Sequence, residues 1–331
     1  MGSRRYLLAD VGATHTRLAV AGGEGTKIQP VRLETAAVRD GDSLLQLAGR
    51  SLPLAGLSAA CIALAGPVAA NAGRLTNGSL VLDGNALTER LGCPVQVIND
   101  FHALAMALPF LERLRQVGGT AGPAADGRHV KAVLGPGSGL GMGMLIPQGD
   151  GWRALDSEGG HADLAPGSPL EIEILTLLSA AHGHVSWETV LSGPGLVNLY
   201  RAVCAVWGVR PQEVGPEWIT ANGVAASDPV CHQTLEIFFS LLGAAAGNLA
   251  LTAAATGGVY IGGGIVPALA EFAAESPMRR RFEERGALSS YAAPIPLWII
   301  LDEEPGLLGA LARARATDRG DRAHAGGNSA P

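Results

Sequence analysis

Asn99 and Asp100 follow an apolar run, 95–98, that reads as a buried strand. A carboxylate at the C-terminal end of such a strand lies where ligands of α/β proteins bind. One base placed there can accept the proton of an attacking hydroxyl, while the neighbouring amide holds a second hydroxyl. An ordinary aspartate with a pKa of about 3.9 would be ionised for this work at neutral pH. The same Asn-Asp pair is also a common turn. Two further carboxylates and an imidazole come from loop-like surroundings, in Glu158-Gly-Gly-His161 and in Glu188. Such a mixture of donors and acceptors suits the hydroxyls of a polyol. Glu158 and His161 also suggest a metal site, but no third ligand is close in sequence. His182 and His184 read as surface or helix-end histidines.

Three glycine-rich segments could take a phosphate or a flat ring. DVGATHTR at 10–17 places Asp10, Val11, Gly12, Ala13 and Thr14 at a strand-to-strand turn whose backbone N–H groups can wrap phosphate oxygens. Asp10 could hold Mg²⁺ through water, since a hard carboxylate oxygen suits that ion. GPGSGLG at 135–141 repeats the plan with Gly135, Gly137, Ser138 and Gly139. It lacks the Gly-Lys-Ser/Thr ending of a Walker loop, and it is followed by a strand where a dinucleotide fingerprint needs a helix. GGVYIGGGIVP at 257–267 runs a strand into Gly262, Gly263 and Gly264 and then a proline-started helix, so a ribose or ring could lie on bare backbone. Each segment taken alone is equally readable as a tight turn.

The elements that must carry these residues alternate between strand and helix. Strands are predicted at 6–11, 17–21, 59–64, 95–98, 259–261 and 297–301, with another beginning near Lys131. Helices are predicted over 101–114 with a break at Pro109, over 170–181 behind Ser168 and Pro169, over 233–256 closed by Gly257-Gly258, from Pro267, and over 307–316. YLLADVGATHTRLAV at 6–20 and KAVLGPGSGLGMGML at 131–145 share one plan of strand, small-residue turn and returning strand. This points to a duplicated α/β architecture with a cleft between its halves. The stretch 118–127 reads as a surface loop between domains, and 317–331 as a disordered tail.

Composition agrees with a large folded enzyme. The 331 residues are 47% hydrophobic and 16% charged, and 46 are glycine. That suits two domains with large cores and several ligand loops. A net charge of −6, with no basic stripe, argues against a nucleic-acid partner. Cys61, Cys93, Cys204 and Cys231 form no CxxC pair or Cys/His cluster, and read as reduced thiols of a cytoplasmic protein. The N-terminus is a poor signal peptide, because Asp10 interrupts its short apolar stretch. The run 237–270 carries no charge and is long enough to span a bilayer. Its Ala, Gly, Thr and Asn content and its acidic flanks point instead to a buried helix followed by a strand, so no membrane association is expected.

Taken together, DVGATHTR, INDFHALA, GPGSGLG, EGGH, VLSGPGLVNLY at 190–200, GGVYIGGGIVP and PGLLGA at 305–310 resemble the bacterial glucokinase family of the hexokinase/actin-like superfamily, from Leu7 to about Leu311. The resemblance implies an actin-like/RNase H-like fold in which 1–109 plus 304–318 form a small domain and 110–303 a large one, with 319–331 as a tail. It implies a homodimer that phosphorylates glucose at the 6-hydroxyl with ATP and Mg²⁺, the first step of glycolysis. Glucose would be held by Asn99, Asp100, Glu158, His161 and Glu188, with Asp100 as base. The phosphates would lie over 10–14 and 135–139, and adenosine near 262–264. A kinase for another hexose or an N-acetylhexosamine is the alternative. ROK sugar kinases look like carriers of a cysteine-rich zinc motif beside the catalytic histidine, and none follows His161. The chain departs from the family pattern at Ala13 and His15, where GATHT stands for a form closer to GGTN. Ser138 replaces a commoner Thr, and Ala268 an Arg. These departures bear on nucleotide binding rather than on the sugar residues.

Overall fold

The computed structural model describes residues 4–22, 28–76, 78–119 and 128–320. The chain divides into two compact units, one of Met1–Leu111 with Glu303–Pro331 and one of Glu112–Asp302. Each is built on its own mixed sheet.

In the first unit the sheet order is Val31–Glu34, His15–Ala21, Tyr6–Val11, Ala59–Leu64, Val95–Asn99. The first three strands are antiparallel and the last three run parallel, with Val11 level with Leu64 and Leu64 level with Asn99. The carboxyl ends of the parallel strands therefore finish together. Alternation along the central strand separates two cores. Leu7, Ala9 and Val11 pack with Leu44, Leu82 and Leu87, whereas Tyr6 and Leu8 pack with Leu307, Ala310 and Ala314 of the Pro305–Asp318 helix. A strand buried on both faces explains why 6–9 is a continuous apolar run. The Pro305–Asp318 helix also packs against the Asp100–Ala107 helix, and a Cβ on Gly309 would stand 1.7 Å from the Ala103 carbonyl oxygen. Gly309 of PGLLGA thus serves a close helix–helix approach, whereas a Cβ on Gly306 would meet the Asp10 carboxylate at 2.9 Å.

The second unit repeats the scheme. Its order is Gly151–Ser157, Leu140–Gln148, Lys131–Pro136, Val259–Ile261, Leu297–Ile300, Leu114–Gln116. The 6–20 and 131–145 hairpins take the same place in their sheets, each with a parallel neighbour on the far side. The last strand, Leu114–Gln116, is antiparallel and has no counterpart in the first sheet. The core gathers around the Pro229–Ala253 helix, which includes buried Phe238, Phe239 and Leu242. This helix is long and apolar enough to cross a membrane, yet 78% of its most apolar window is buried in the unit, as a core helix requires. All four cysteines are free and buried.

Several element boundaries differ from the sequence expectations. The helix expected over 101–114 ends at Ala107 and continues as a single 3-10 turn, Leu108–Phe110, because Pro109 cannot sit deeper in an α-helix. The apolar Leu114 beyond it belongs to a strand. The long helix begins earlier than expected, where Asp228 caps the N–H groups of Val230 and Cys231, and it ends at Ala254 rather than at the double glycine. Ala254 itself takes the left-handed conformation (φ 49°), while Gly257 already bonds the Val130 carbonyl on its way into the next strand. Pro267 opens a 3-10 turn, Pro267–Leu269, ahead of the Ala270–Glu275 helix. Thr317 lies within the final helix, so the expected tail starts too early. The rest of that tail, 321–331, and most of the loop at 118–127 lie outside the described residues.

Candidate active site

In the first unit the chemistry collects at the carboxyl ends of the parallel strands. Asn99 is the last residue of its strand and the N-cap of the helix that begins with Asp100. Its Oδ1 accepts the N–H groups of Phe101 at 2.8 Å and His102 at 3.3 Å, and its Nδ2 donates to the Gly66 carbonyl at 3.1 Å. The Asn99 side chain also bonds the Asp100 carboxylate, which works against the rise in that group's pKa. The cap fixes the first helical turn and with it Asp100, whose Oδ1 also accepts the Phe101 N–H at 3.0 Å.

Asp100 is not the ordinary ionised aspartate that its sequence setting suggests. Burial first, and then the charge of Asp10, push its pKa up to about 7, against the opposing bonds from backbone N–H groups. Asp10 is also raised, by burial and then by the nearby Glu304, while Arg17 pulls it back. Arg17 stands directly across the hairpin from Asp10. It reaches Asp10 at 3.2 Å and Glu304 at 3.0 Å, and Arg32 reaches the other Glu304 oxygen at 2.6 Å. Three carboxylates and two guanidinium groups thus share this edge of the unit. Only Asp10 and Asp100 among these were singled out as functional from the sequence. Arg17 lies inside the DVGATHTR motif, whereas Glu304 sits nearly three hundred residues away and only the returning helix brings it here.

The turn 12–14 closes with the Gly12 N–H on the His15 carbonyl at 3.0 Å. Thr35 braces it from outside, its hydroxyl on the Gly12 carbonyl at 2.8 Å and its N–H on the Thr14 carbonyl at 2.8 Å. None of its residues has a positive φ, so Ala13 fits without backbone strain. Val11 is buried within the strand, and Ala13 and Thr14 are exposed. His15 is exposed and lies 3.4 Å from Glu34.

In the second unit the structure gathers the other candidates. The Gly137 N–H donates to the Gly139 carbonyl at 2.8 Å, closing the second turn around Ser138. Gly135 runs against the backbone of Gly262 and Gly263, where a Cβ would come within 2.7 Å. Gly263 is required twice over: its φ is 81°, and a Cβ would meet the Pro136 carbonyl oxygen at 2.3 Å. Gly264 faces open space. The expected nucleotide loops 135–139 and 262–264 are therefore adjacent.

The sugar candidates stand beside them. His161 Nδ1 is 4.0 Å from Glu188 Oε1, and the Glu188 N–H bonds the Gly160 carbonyl at 2.9 Å. Glu158 is exposed, and its carbonyl accepts the His161 N–H at 2.9 Å, so the loop turns Glu158 and His161 about one short 3-10 turn. Glu188 is not wholly free for a ligand, because its Oε2 accepts the Leu140 N–H at 2.7 Å. A cavity of about 340 Å³ is lined by Ser138, His161, His182, Glu188, Thr189 and Ser192. His182, expected as a surface or helix-end histidine, ends its helix and also lines this cavity, whereas His184 pairs with Asp163 at 2.7 Å. A larger cavity of about 560 Å³, in the first unit around Cys93 and Arg313, lies at the opposite end of the strand that carries Asn99. It meets none of the candidate residues.

A family model, Glucokinase, matches residues 7–317. The glucokinase of Aromatoleum aromaticum is 43% identical over 311 residues, covering 92% of each chain. That of Chromobacterium violaceum is 43% identical over 314 residues, covering 92% of this chain and 88% of its own. The chain belongs to the glucokinase family. A crystal structure of glucokinase from an Antarctic psychrotroph superposes with a TM-score of 0.84 at 32% identity, covering 94% of this chain and 98% of the other. The protein is accordingly a phosphotransferase on the duplicated two-domain, actin-like fold of the glucokinases, and the two matching hairpins are its internal repeat.

Proposed function

We propose that the chain transfers the γ-phosphoryl group of ATP to the 6-hydroxyl of glucose, with Asp100 as the base. The observation that carries this reading is Asp100 itself: a carboxylate fixed by the Asn99 cap at the carboxyl end of a parallel strand, with its proton affinity raised to about 7. A base tuned near the working pH both accepts a proton and is available in its ionised form. In the step, the sugar oxygen forms a bond to the γ-phosphorus, the bond from that phosphorus to the β-phosphate bridging oxygen breaks, and ADP leaves. The hydroxyl proton passes to Asp100.

The remaining residues position and neutralise, as phosphoryl transfer demands. Asn99 offers its side-chain amide to the sugar. Glu158, His161 and Glu188 take the other hydroxyls. The turns at 12–14 and 137–139 present backbone N–H groups to the phosphates, and the bare backbone at 262–264 takes the adenosine. Asp10 is a hard oxygen donor whose charge raises the proton affinity of Asp100 and whose own is raised by Glu304, an excess of negative charge that a dication satisfies, so Asp10 fits Mg²⁺ held through water. When bound, the ion would offset charge on the phosphates. The family resemblance further supports a cytoplasmic homodimer that acts at the first step of glycolysis.

A coupled assay with ATP over glucose, mannose, fructose, glucosamine and N-acetylglucosamine tests the reading. Glucose should give the highest kcat/KM. Phosphorylation of N-acetylglucosamine without glucose would overturn it.

A further inference from the structure

The segment VLSGPGLVNLY has no part in the reaction as described, yet together with Glu188, to which it is tied, it holds the second phosphate turn at both ends. Ser192 is 3% exposed. Its Oγ donates to the Glu188 carbonyl at 2.9 Å and accepts the Gly195 N–H at 2.9 Å, so it caps the Gly193–Val206 helix and ties the cap to Glu188. The first residue of that helix, Gly193, donates its N–H to the Gly137 carbonyl at 2.8 Å, where the turn begins. Glu188 accepts the N–H of Leu140, where the turn ends. The other oxygen of the same carboxylate faces His161.

We infer that the segment 188–195 couples sugar binding to nucleotide binding, with Gly193 and Ser192 as positioning residues. The inference rests on the reading of Glu188 and His161 as sugar ligands and of 135–139 as a phosphate turn. A sugar hydroxyl on Glu188 restricts the carboxylate that grips Leu140. Through the Ser192 cap it also restricts the helix end that grips Gly137. A turn ordered in this way gives up less freedom when phosphates bind, so its affinity for them rises. Linkage makes the effect reciprocal: nucleotide tightens sugar by the same factor.

Gly193→Pro removes the N–H; Ser192 is extended (φ −151°, ψ 175°) as a residue before proline must be, and with Pro194 already in place both prolines fall in the first helical turn, where no intrahelical bond is lost. Gly193→Ala keeps the N–H, and its Cβ would meet nothing closer than 3.5 Å, so it is the matched reference. Binding of a non-hydrolysable ATP analogue is measured by calorimetry with and without saturating glucose, and glucose binding is measured alone. In wild type and Gly193→Ala, glucose should tighten the analogue about fivefold or more. In Gly193→Pro the analogue should bind about fivefold to tenfold more weakly and the gain from glucose should largely vanish, while glucose alone binds within about twofold of the reference. Ser192→Ala should show the same loss of coupling and Ser192→Thr should restore it, whatever either does to the melting temperature. Coupling in Gly193→Pro equal to that in Gly193→Ala overturns the inference. Failure of glucose to bind the wild type would instead overturn the reading of the sugar site.

Discussion

The two phosphate turns occupy equivalent places in equivalent hairpins, yet they are held differently. The turn at 12–14 is braced by one threonine, whose hydroxyl and N–H reach Gly12 and Thr14, and it leaves Ala13 exposed. The turn at 137–139 is held at both ends, by the Gly193 N–H on Gly137 and by the Glu188 carboxylate on Leu140, and the strand end that leads into it, Gly135-Pro136, runs against the backbone of Gly262 and Gly263. The first turn therefore takes a side chain at its tip, whereas beside the second Gly135 and Gly263 face backbone that leaves no room for one; Gly137, where a Cβ would meet nothing within 4 Å, is under no such demand.

Substitutions at the two turns should follow that order. Gly135→Ala drives a Cβ into backbone atoms at 2.7 Å that cannot swing aside. Overpacking of this kind costs about 1–3 kcal/mol, read as a lower melting temperature and an ATP KM raised roughly tenfold or more. Gly139→Ala meets only the end of a flexible side chain, Glu188 Oε2 at 2.5 Å. It should displace that carboxylate from Leu140 and raise the KM values of both glucose and ATP about fivefold, with stability changed by about 1 kcal/mol. Thr35→Val removes the brace of the first turn and should raise the ATP KM about fivefold while leaving that of glucose unchanged. Ala13→Gly should shift the ATP KM less than about twofold, since no positive φ or close approach needs relief there. A large gain from Ala13→Gly, or indifference to Gly135→Ala, would break the comparison.

Much of this was legible in the sequence, and the reasons are local. The hairpins at 6–20 and 131–145 announced themselves because a buried strand, a small-residue turn and a buried returning strand are each contiguous. The start of the long helix is less legible: the apolar spacing points to Gln233, whereas the Asp228 cap and Pro229 open the helix a turn earlier. The small sheet of Val68–Ala69, Ala72–Arg74 and Val81–Asp83 was missed because its strands are too short to show a period. In the site, Asn99, Asp100, His161 and Glu188 could be named from their residue types and motifs. Their second contacts could not: the grip of Glu188 on Leu140, of Thr35 on Gly12 and of Glu304 on Arg17 all depend on which distant segments meet. The raised proton affinity of Asp100 was hidden for the same reason, since it follows from burial and from Asp10.

That proton affinity has two consequences. As a base, Asp100 must be ionised, so kcat/KM for glucose should rise with pH along an acid limb centred near 7. For stability the sign is opposite. An aspartate raised from about 3.9 in the unfolded chain lets the folded state hold an extra proton, so its contribution is fully present below about pH 4 and is lost as pH rises to about 7. Asp100→Asn should therefore melt higher than wild type at pH 8, and the difference should disappear toward pH 4.

The most direct test of Asp100 as the base joins two readings on the Asp100→Asn protein: glucose affinity by calorimetry, and turnover with saturating glucose and ATP. Glucose should bind within a few-fold of wild type, while kcat falls roughly 10²-fold or more. Near-normal turnover with glucose bound would contradict the assignment.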